Sequence, residues 1–215
     1  MRNYISEIIG TFFLVFVGCG SMVIDNFSGG AITHVGVGIC WGLIVMVIIY
    51  TIGDISGAHL NPAVTIGFWM AKRFRGKEVL PYIVAQIIGA FLGSFALRLM
   101  FPLDDTLGAS LPAGSWEQSF IMEVILTFLL MYVILNVSSG AKEKGITAGI
   151  AIGATVGLEA MFAGPVCGAS MNPARSLAPA LVSGHTEHLW VYLVATILGA
   201  TLAVLACKLT RKVAE

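Results

Sequence analysis

Two short segments of the chain carry the same combination of polar and rigid residues. They are Asn61-Pro62-Ala63 and Asn172-Pro173-Ala174. Asparagine is a favoured helix N-cap and proline a favoured first helical residue, so each segment predicts the start of a helix. An asparagine that caps with its side-chain oxygen keeps its NH2 group for donation. The chemistry that these residues offer is therefore hydrogen bonding to an uncharged polar molecule.

The elements that must position these segments are strongly apolar. Of the 215 residues, 57% are hydrophobic and 11% are charged, whereas a soluble domain carries about 25% charged residues. A helix needs about 20 apolar residues to cross a bilayer, and six windows of that kind occur. They are 4–24, 33–53, 79–101, 118–138, 145–165 and 188–210. We therefore predict an all-α membrane protein with six transmembrane helices.

Each Asn-Pro-Ala segment lies between two of these windows, in a stretch too apolar for a loop and too short to span. The stretches are roughly 56–71 and 167–182. About ten helical residues at 1.5 Å each reach only half-way through the hydrocarbon. We expect two re-entrant half-helices that enter from opposite faces and meet at their N-termini. The irregular backbone before them is tolerated in a membrane only where it lines a water-filled cavity.

The chain also contains an internal repeat. Glu7 matches Glu123 at an offset of 116 residues, Asn61 matches Asn172 at 111, and flanking segments match in the same order at 115 and 110. Each copy holds three windows, an odd number, so the copies enter the membrane in inverted orientations and their interface is expected to hold the site. We expect one transmembrane domain, 1–215, with repeat 1 at about 1–108 and repeat 2 at about 115–215.

The basic residues predict the orientation. If the six windows cross the membrane in alternating directions, ten of the twelve Lys and Arg residues fall on one side. The connectors 25–32 and 102–117 on the opposite side contain Asp and Glu but no Lys or Arg. The ten are Arg2, Lys72, Arg73, Arg75, Lys77, Lys142, Lys144, Lys208, Arg211 and Lys212. By the positive-inside rule both termini are expected in the cytoplasm, with the chain a multi-pass protein of the plasma membrane.

Two Asn-Pro-Ala boxes in inverted three-helix halves resemble the aquaporin and glycerol-facilitator family over nearly the whole chain. The resemblance implies an aquaporin-like channel that passes water and small neutral solutes and excludes ions and protons. It implies no enzyme activity, no cofactor or metal, and a homotetramer in the lipid bilayer. A water that accepts from Asn61 and Asn172 together must point both hydrogens away along the pore, which interrupts proton hopping.

The resemblance further implies a narrow selectivity filter, formed by position from Trp41, Ala160, Ala169 and Arg175. An intramembrane arginine is functional by default. By the same resemblance, strict water channels have Phe and His in this filter, where the present chain has Trp41 and Ala160. These two replacements favour a wider opening that suits glycerol. Ser176 resembles the water-channel residue instead, and Ala169 lacks the second aromatic wall of glycerol facilitators. Water is the expected permeant, with a glycerol-preferring facilitator as the alternative.

Five further residues line the pore with their backbone or support the loops in this interpretation. The resemblance assigns pore-backbone and loop-support roles to His59, Gly57, Gly168, Glu7 and Glu123. Glu159 has no acidic partner in the first repeat, where its equivalent is Ile44, and the sequence offers no firm role for it.

Other function classes fit the sequence less well. The chain has no basic stripe, so nucleic-acid binding is not expected, and its four cysteines are too scattered for a disulfide scaffold. An intramembrane protease would need a second transmembrane aspartate or a Ser/His pair. An ion-coupled transporter shares the inverted repeats and broken helices, but it would need an acidic ion site facing the pore.

Overall fold

The computed structural model describes residues 1–138 and 142–210, with the backbone alone at 142–146. Over this part of the chain it contains eight helices and no strand. They are α1 (Arg2–Phe27), α2 (Thr33–Ser56), α3 (Pro62–Met70), α4 (Gly76–Met100), α5 (Trp116–Val137), α6 (Lys142–Cys167), α7 (Pro173–Ser183) and α8 (Leu189–Thr210). The predicted all-α membrane class is confirmed.

Six of these helices, α1, α2, α4, α5, α6 and α8, are long and apolar enough to cross a membrane. Their ends lie within three residues of the predicted windows. The short helices α3 and α7 begin at Pro62 and Pro173, as predicted.

We call the face where α1 begins and α8 ends the terminal face. Among the basic residues used for the orientation, Lys142, Lys144, Arg211 and Lys212 lie outside the described side chains.

The helices pack so that the two halves of the chain interlock. Within each half, the first long helix packs against the last, α1 on α4 and α5 on α8. Between the halves, α2 packs along α6. Each half-helix also leans on the other half, α3 on α8 and α7 on α4. The tips of α3 and α7 are therefore fixed by both repeats at once.

Glycine allows the long helices to approach closely at equivalent places in the two repeats. A β-carbon at Gly89 would overlap the carbonyl oxygen of Ile8, and one at Gly199 would overlap that of Val124. Between the halves, a β-carbon at Gly42 would lie 2.7 Å from the carbonyl oxygen of Gly153. Small residues are the usual means of tight helix packing in lipid, where no hydrophobic force draws helices together.

Candidate functional site

The site is built around the two asparagines that begin the half-helices. Asn61 and Asn172 both have extended backbone and act as N-caps. The Oδ1 atom of Asn61 accepts from the backbone N–H of Ala63 at 2.8 Å, and Oδ1 of Asn172 accepts from that of Ala174 at 3.0 Å. Proline follows each cap, where its missing N–H leaves no donor unpaired.

The side-chain amides of the two asparagines also bond across the repeat interface. Nδ2 of Asn61 donates to the carbonyl oxygen of Met171 at 2.7 Å, and Nδ2 of Asn172 donates to that of Leu60 at 2.9 Å. The sequence predicts that the whole NH2 group is free to donate into the pore, whereas one hydrogen of each amide bonds across the repeat interface. The second hydrogen of each amide remains available, and both asparagines line the central cavity.

This cavity has a volume of about 840 Å³. It begins beside Arg175, passes Asn61 and Asn172, and reaches Asp54 and Ser138 toward the terminal face. Between these polar groups its wall is aliphatic, formed by residues of helices from both halves. The larger aliphatic residues are Leu14, Val45, Ile49, Leu60, Val64, Leu130, Ile134, Ile152 and Val156. A mainly apolar wall with a few convergent donors suits small polar molecules without charge.

Arg175 lies at one end of the cavity and is only 1% exposed. Its Nη1 atom donates to the carbonyl oxygen of Gly108 at 3.0 Å and to Oγ of Ser110 at 2.6 Å. Its Cζ atom lies 4.7 Å from the centre of the Trp41 ring, a cation–π distance. The guanidinium is therefore held rigidly, with one face against the indole and one edge against the connector between α4 and α5.

Three of the four predicted filter residues come together around this end of the cavity. Trp41, Ala169 and Arg175 all line it. Ala160 is buried, with 8% exposed, but it is not part of the lining, whereas Val156, one turn earlier on α6, is. The role of Ala160 stays a prediction. The partners Gly108, Ser110 and Met22 of Arg175 were missed, because only tertiary folding brings them to the guanidinium.

The loops before the half-helices have a strained backbone that repeats in both halves. Gly57 and Gly168 have φ of +88° and +80°, where glycine is strongly favoured. Leu60 and Met171 have φ of +55° and +54°, a left-handed conformation that costs a non-glycine residue about 1–3 kcal/mol. Such loops persist only where surrounding groups hold them in place.

Two buried glutamates supply that support. Glu7 accepts from the backbone N–H groups of His59 and Leu60 at 3.0 and 2.7 Å, and also from Ser56 and Gln86. Glu123 accepts from Ser170 and Met171 N–H in the same way, at 2.7 and 2.8 Å. Charge-assisted bonds to backbone N–H are among the stronger hydrogen bonds. Each carboxylate thus bonds two consecutive residues of a loop.

His59 lines the cavity on the side of the terminal face. Its ring stacks on Phe68, with centres 4.7 Å apart, and lies 4.7 Å from the centre of the Phe74 ring. Its Nδ1 atom is 3.2 Å from Oγ1 of Thr65. These contacts fix the orientation of the imidazole, so His59 is a rigid part of the wall.

Glu159 differs from the other two buried glutamates. It is 1% exposed, and neither carboxyl oxygen has a hydrogen-bond partner within the described part of the chain. It does not line the cavity. The sequence indicates no firm role for this residue, and among the described residues no hydrogen bond of its carboxyl group identifies one.

Six membrane-spanning helices around two half-helices that meet beside a cavity define a membrane channel of two inverted repeats. The family model "Major intrinsic protein" matches residues 1–207, and the chain belongs to this family. Members of the family are passive channels, so the protein is not an enzyme. It is an integral, multi-pass channel for water and small solutes.

Relatives support this assignment over nearly the full length. The chain is 48% identical over 212 residues to "Aquaporin NIP1-1" of Zea mays, with 98% of this chain and 75% of that protein covered. It is 46% identical over 201 residues to "Nodulin-26" of Glycine max, with 93% and 74% covered. Among solved structures, the aquaglyceroporin from Plasmodium falciparum matches with a TM-score of 0.82 and 27% identity, covering 97% and 96% of the two chains.

Proposed function

We propose that the protein is a passive channel that conducts mainly water, passes small uncharged solutes, and excludes ions and protons. The observation that carries the proposal is the pair of asparagine amides at the tips of α3 and α7. Each is fixed by its own cap and by a bond across the repeat interface. The donors are thus preorganised before any molecule arrives.

The exclusion of cations follows from the charges at the centre and at the end of the cavity. Each helix N-terminus carries the equivalent of about +0.5 charge, and the tips of α3 and α7 meet beside the cavity. Arg175 adds a full positive charge at the end of the cavity, next to Trp41. A cation that enters would lose its hydration and meet positive groups at both places.

The exclusion of protons follows from the orientation of water between the asparagines. Each amide has one hydrogen left to donate into the cavity, so a water there accepts with its oxygen from both. Its own hydrogens then point outward, toward the two ends of the pore. Waters on either side must orient in opposite directions, and a proton cannot hop through the file.

The choice between water and glycerol depends on the filter. An indole face beside Arg175, with Ala169 opposite, favours a polyol that places its carbons on Trp41 and its hydroxyls on the guanidinium. Ser176 favours water by resemblance to water channels. In this chain it donates to Ser110, which also accepts from Arg175, and so it supports the arginine. A glycerol-preferring facilitator is therefore the second candidate.

The assembly and orientation are part of the same proposal. The resemblance to the family supports a homotetramer in the plasma membrane. The basic residues support cytoplasmic termini, with the terminal face toward the cytoplasm.

The proposal is tested by osmotic flux across the membrane of vesicles in which the purified protein is reconstituted. We expect fast shrinkage in sucrose, slow re-swelling in glycerol, and no change in an enclosed pH-sensitive dye. Re-swelling as fast as the shrinkage would establish the glycerol facilitator instead. A flux that requires a coupling ion or acidifies the lumen would establish a transporter.

A matched pair of variants ties this flux to the cavity. Ala169→Leu places a larger side chain beside Arg175 in the lining and should reduce water flux to nearly that of protein-free vesicles. Ala154→Leu makes the same change at an exposed position of α6 and should leave the flux unchanged. Equal flux through both variants would mean that water does not pass Ala169.

A further inference from the structure

Helix α1 was not expected to contribute to the filter, yet one of its faces lies directly against it. Leu14 lines the cavity, and the Sδ atom of Met22 is 3.7 Å from Nη2 of Arg175. Gly18 lies between them in the sequence, four residues from each, which places all three on one face of the helix.

Gly18 provides the space that the indole of Trp41 occupies. A β-carbon added at Gly18 would lie 2.5 Å from Cε3 of Trp41 and would overlap Cζ3 and Cη2. All three nearest atoms belong to this one ring. The six-membered part of the indole therefore packs directly on the backbone of α1.

The internal repeat shows what this pair replaces. With the offsets of 116 and 115 residues, Gly18 corresponds to Ile134 and Trp41 to Val156. Ile134 and Val156 are both buried and both line the cavity. One half thus uses two side chains of medium size, and the other uses the largest side chain beside the smallest residue. The glycine compensates for the volume of the tryptophan.

We propose that Gly18 is a specificity-determining positioning residue, which holds the Trp41 indole back against α1 and keeps the filter wide enough for small polyols. Trp41 lines the cavity and Gly18 does not, so the ring stands between α1 and the permeation path. A side chain at position 18 must push the ring toward the cavity. This inference rests on the proposed channel function and names a residue that sets its selectivity.

The test compares glycerol and water permeability in vesicles for Gly18→Ala, Trp41→Val and the double variant. Valine is chosen because it occupies the equivalent position of the second repeat. We expect Gly18→Ala to lower the glycerol-to-water ratio at least about threefold, since contacting residues couple measurably. In the Trp41→Val background the same change should leave the ratio unaltered, because the ring is gone.

Gly20→Ala is the matched control in the same helix. Its added β-carbon would meet only the end of the Leu97 side chain, at 3.2 Å, and Gly20 does not line the cavity. Its ratio should equal that of the unmodified protein. A general effect of alanine in α1 would lower the ratio in this variant too, and that result would overturn the proposal.

The remaining outcomes separate this inference from the channel function itself. An unchanged ratio in Gly18→Ala, or an equal fall in both Trp41 backgrounds, overturns the role of Gly18 while the unmodified protein still conducts. If Gly18→Ala does not accumulate in the membrane but the double variant does, that recovery supports the pairing. If Trp41→Val accumulates and the double variant does not, the pairing is wrong. Vesicles of the unmodified protein that shrink no faster than protein-free vesicles would instead overturn the channel function.

Discussion

At the scale of the residue, Arg175 shows how a full charge is accommodated inside a membrane protein. Its guanidinium bonds to the backbone of Gly108 and to Ser110, and its face lies on Trp41. A carbonyl, a hydroxyl and an indole stabilise the charge without neutralising it. The positive potential at the end of the cavity is thus retained, which a carboxylate partner would have removed.

Arg175→Val should therefore increase the leak of protons and cations. At an effective dielectric constant of 20, a unit charge about 4 Å away changes the energy of a passing cation by about 4 kcal/mol. We expect the proton leak, measured with an enclosed pH dye under a membrane potential, to rise at least about tenfold. Arg98→Val is the control, because Arg98 bonds to the α4–α5 connector and does not line the cavity. An unchanged leak in Arg175→Val would contradict the filter role.

The buried glutamates differ in the number of bonds that they would lose. Glu7→Gln should be strongly destabilising, because the new NH2 group cannot accept from the backbone N–H groups that the carboxylate bonds now. Each buried donor left unpaired costs about 1–3 kcal/mol. Glu159→Gln should be tolerated far better, because Glu159 has no hydrogen bond to lose among the described residues. Thermal unfolding in detergent, followed by tryptophan fluorescence, measures both. Equal losses of stability would show that Glu159 makes a structural contact of its own.

At this scale, the residues that could be predicted from the sequence are those whose hydrogen bonds are local in the chain. Asparagine is a favoured N-cap and proline a favoured first helical residue, so both caps could be predicted from the sequence. The reciprocal bonds to Met171 and Leu60, and the partners Gly108, Ser110 and Met22, depend on backbone groups that only the folded chain brings together. Gly18 could have been found by aligning the two repeats, because Ile134 is the residue equivalent to it in the second repeat.

At the scale of the element, hydropathy and helix caps were sufficient to place all eight helices to within three residues. The reason is that a bilayer fixes the length of a spanning helix. The pairing of each half-helix with the last long helix of the other repeat could not be predicted in this way. That pairing depends on side-chain packing between elements more than 70 residues apart, since α4 ends at Met100 and α7 begins at Pro173.

The close contacts between long helices give a prediction that can be tested at equivalent positions of the two repeats. Gly89→Ala and Gly199→Ala should each destabilise the protein by about 1–3 kcal/mol, the usual cost of overpacking. Their added β-carbons meet backbone carbonyls, which cannot move as a flexible side chain can. Gly53→Ala, whose nearest contact would be 3.9 Å away, is the control in thermal unfolding. Equal stability of all three variants would show that these helices have room to separate.

At the scale of the whole molecule, the two repeats are alike around the asparagine pair and different at the end of the cavity where we propose that the filter lies. The caps, the crossed amide bonds and the paired glutamates occur in both halves. The differences gather in the filter and behind it, where Trp41 stands against Val156 and Gly18 against Ile134. Arg175 likewise has no equivalent, since the matching position in the first repeat is Val64. A duplicated fold thus supplies the capped asparagine twice and the buried arginine of the proposed filter once.

The crossed bonds between Asn61, Met171, Asn172 and Leu60 also bear on how the protein can move. A carrier that exposes its substrate alternately to the two sides must swing one half past the other. In this protein such a swing would have to break two short hydrogen bonds, one in each direction, between the loops of the two halves. A channel needs no such rearrangement, because its permeant can pass between two halves that keep both bonds.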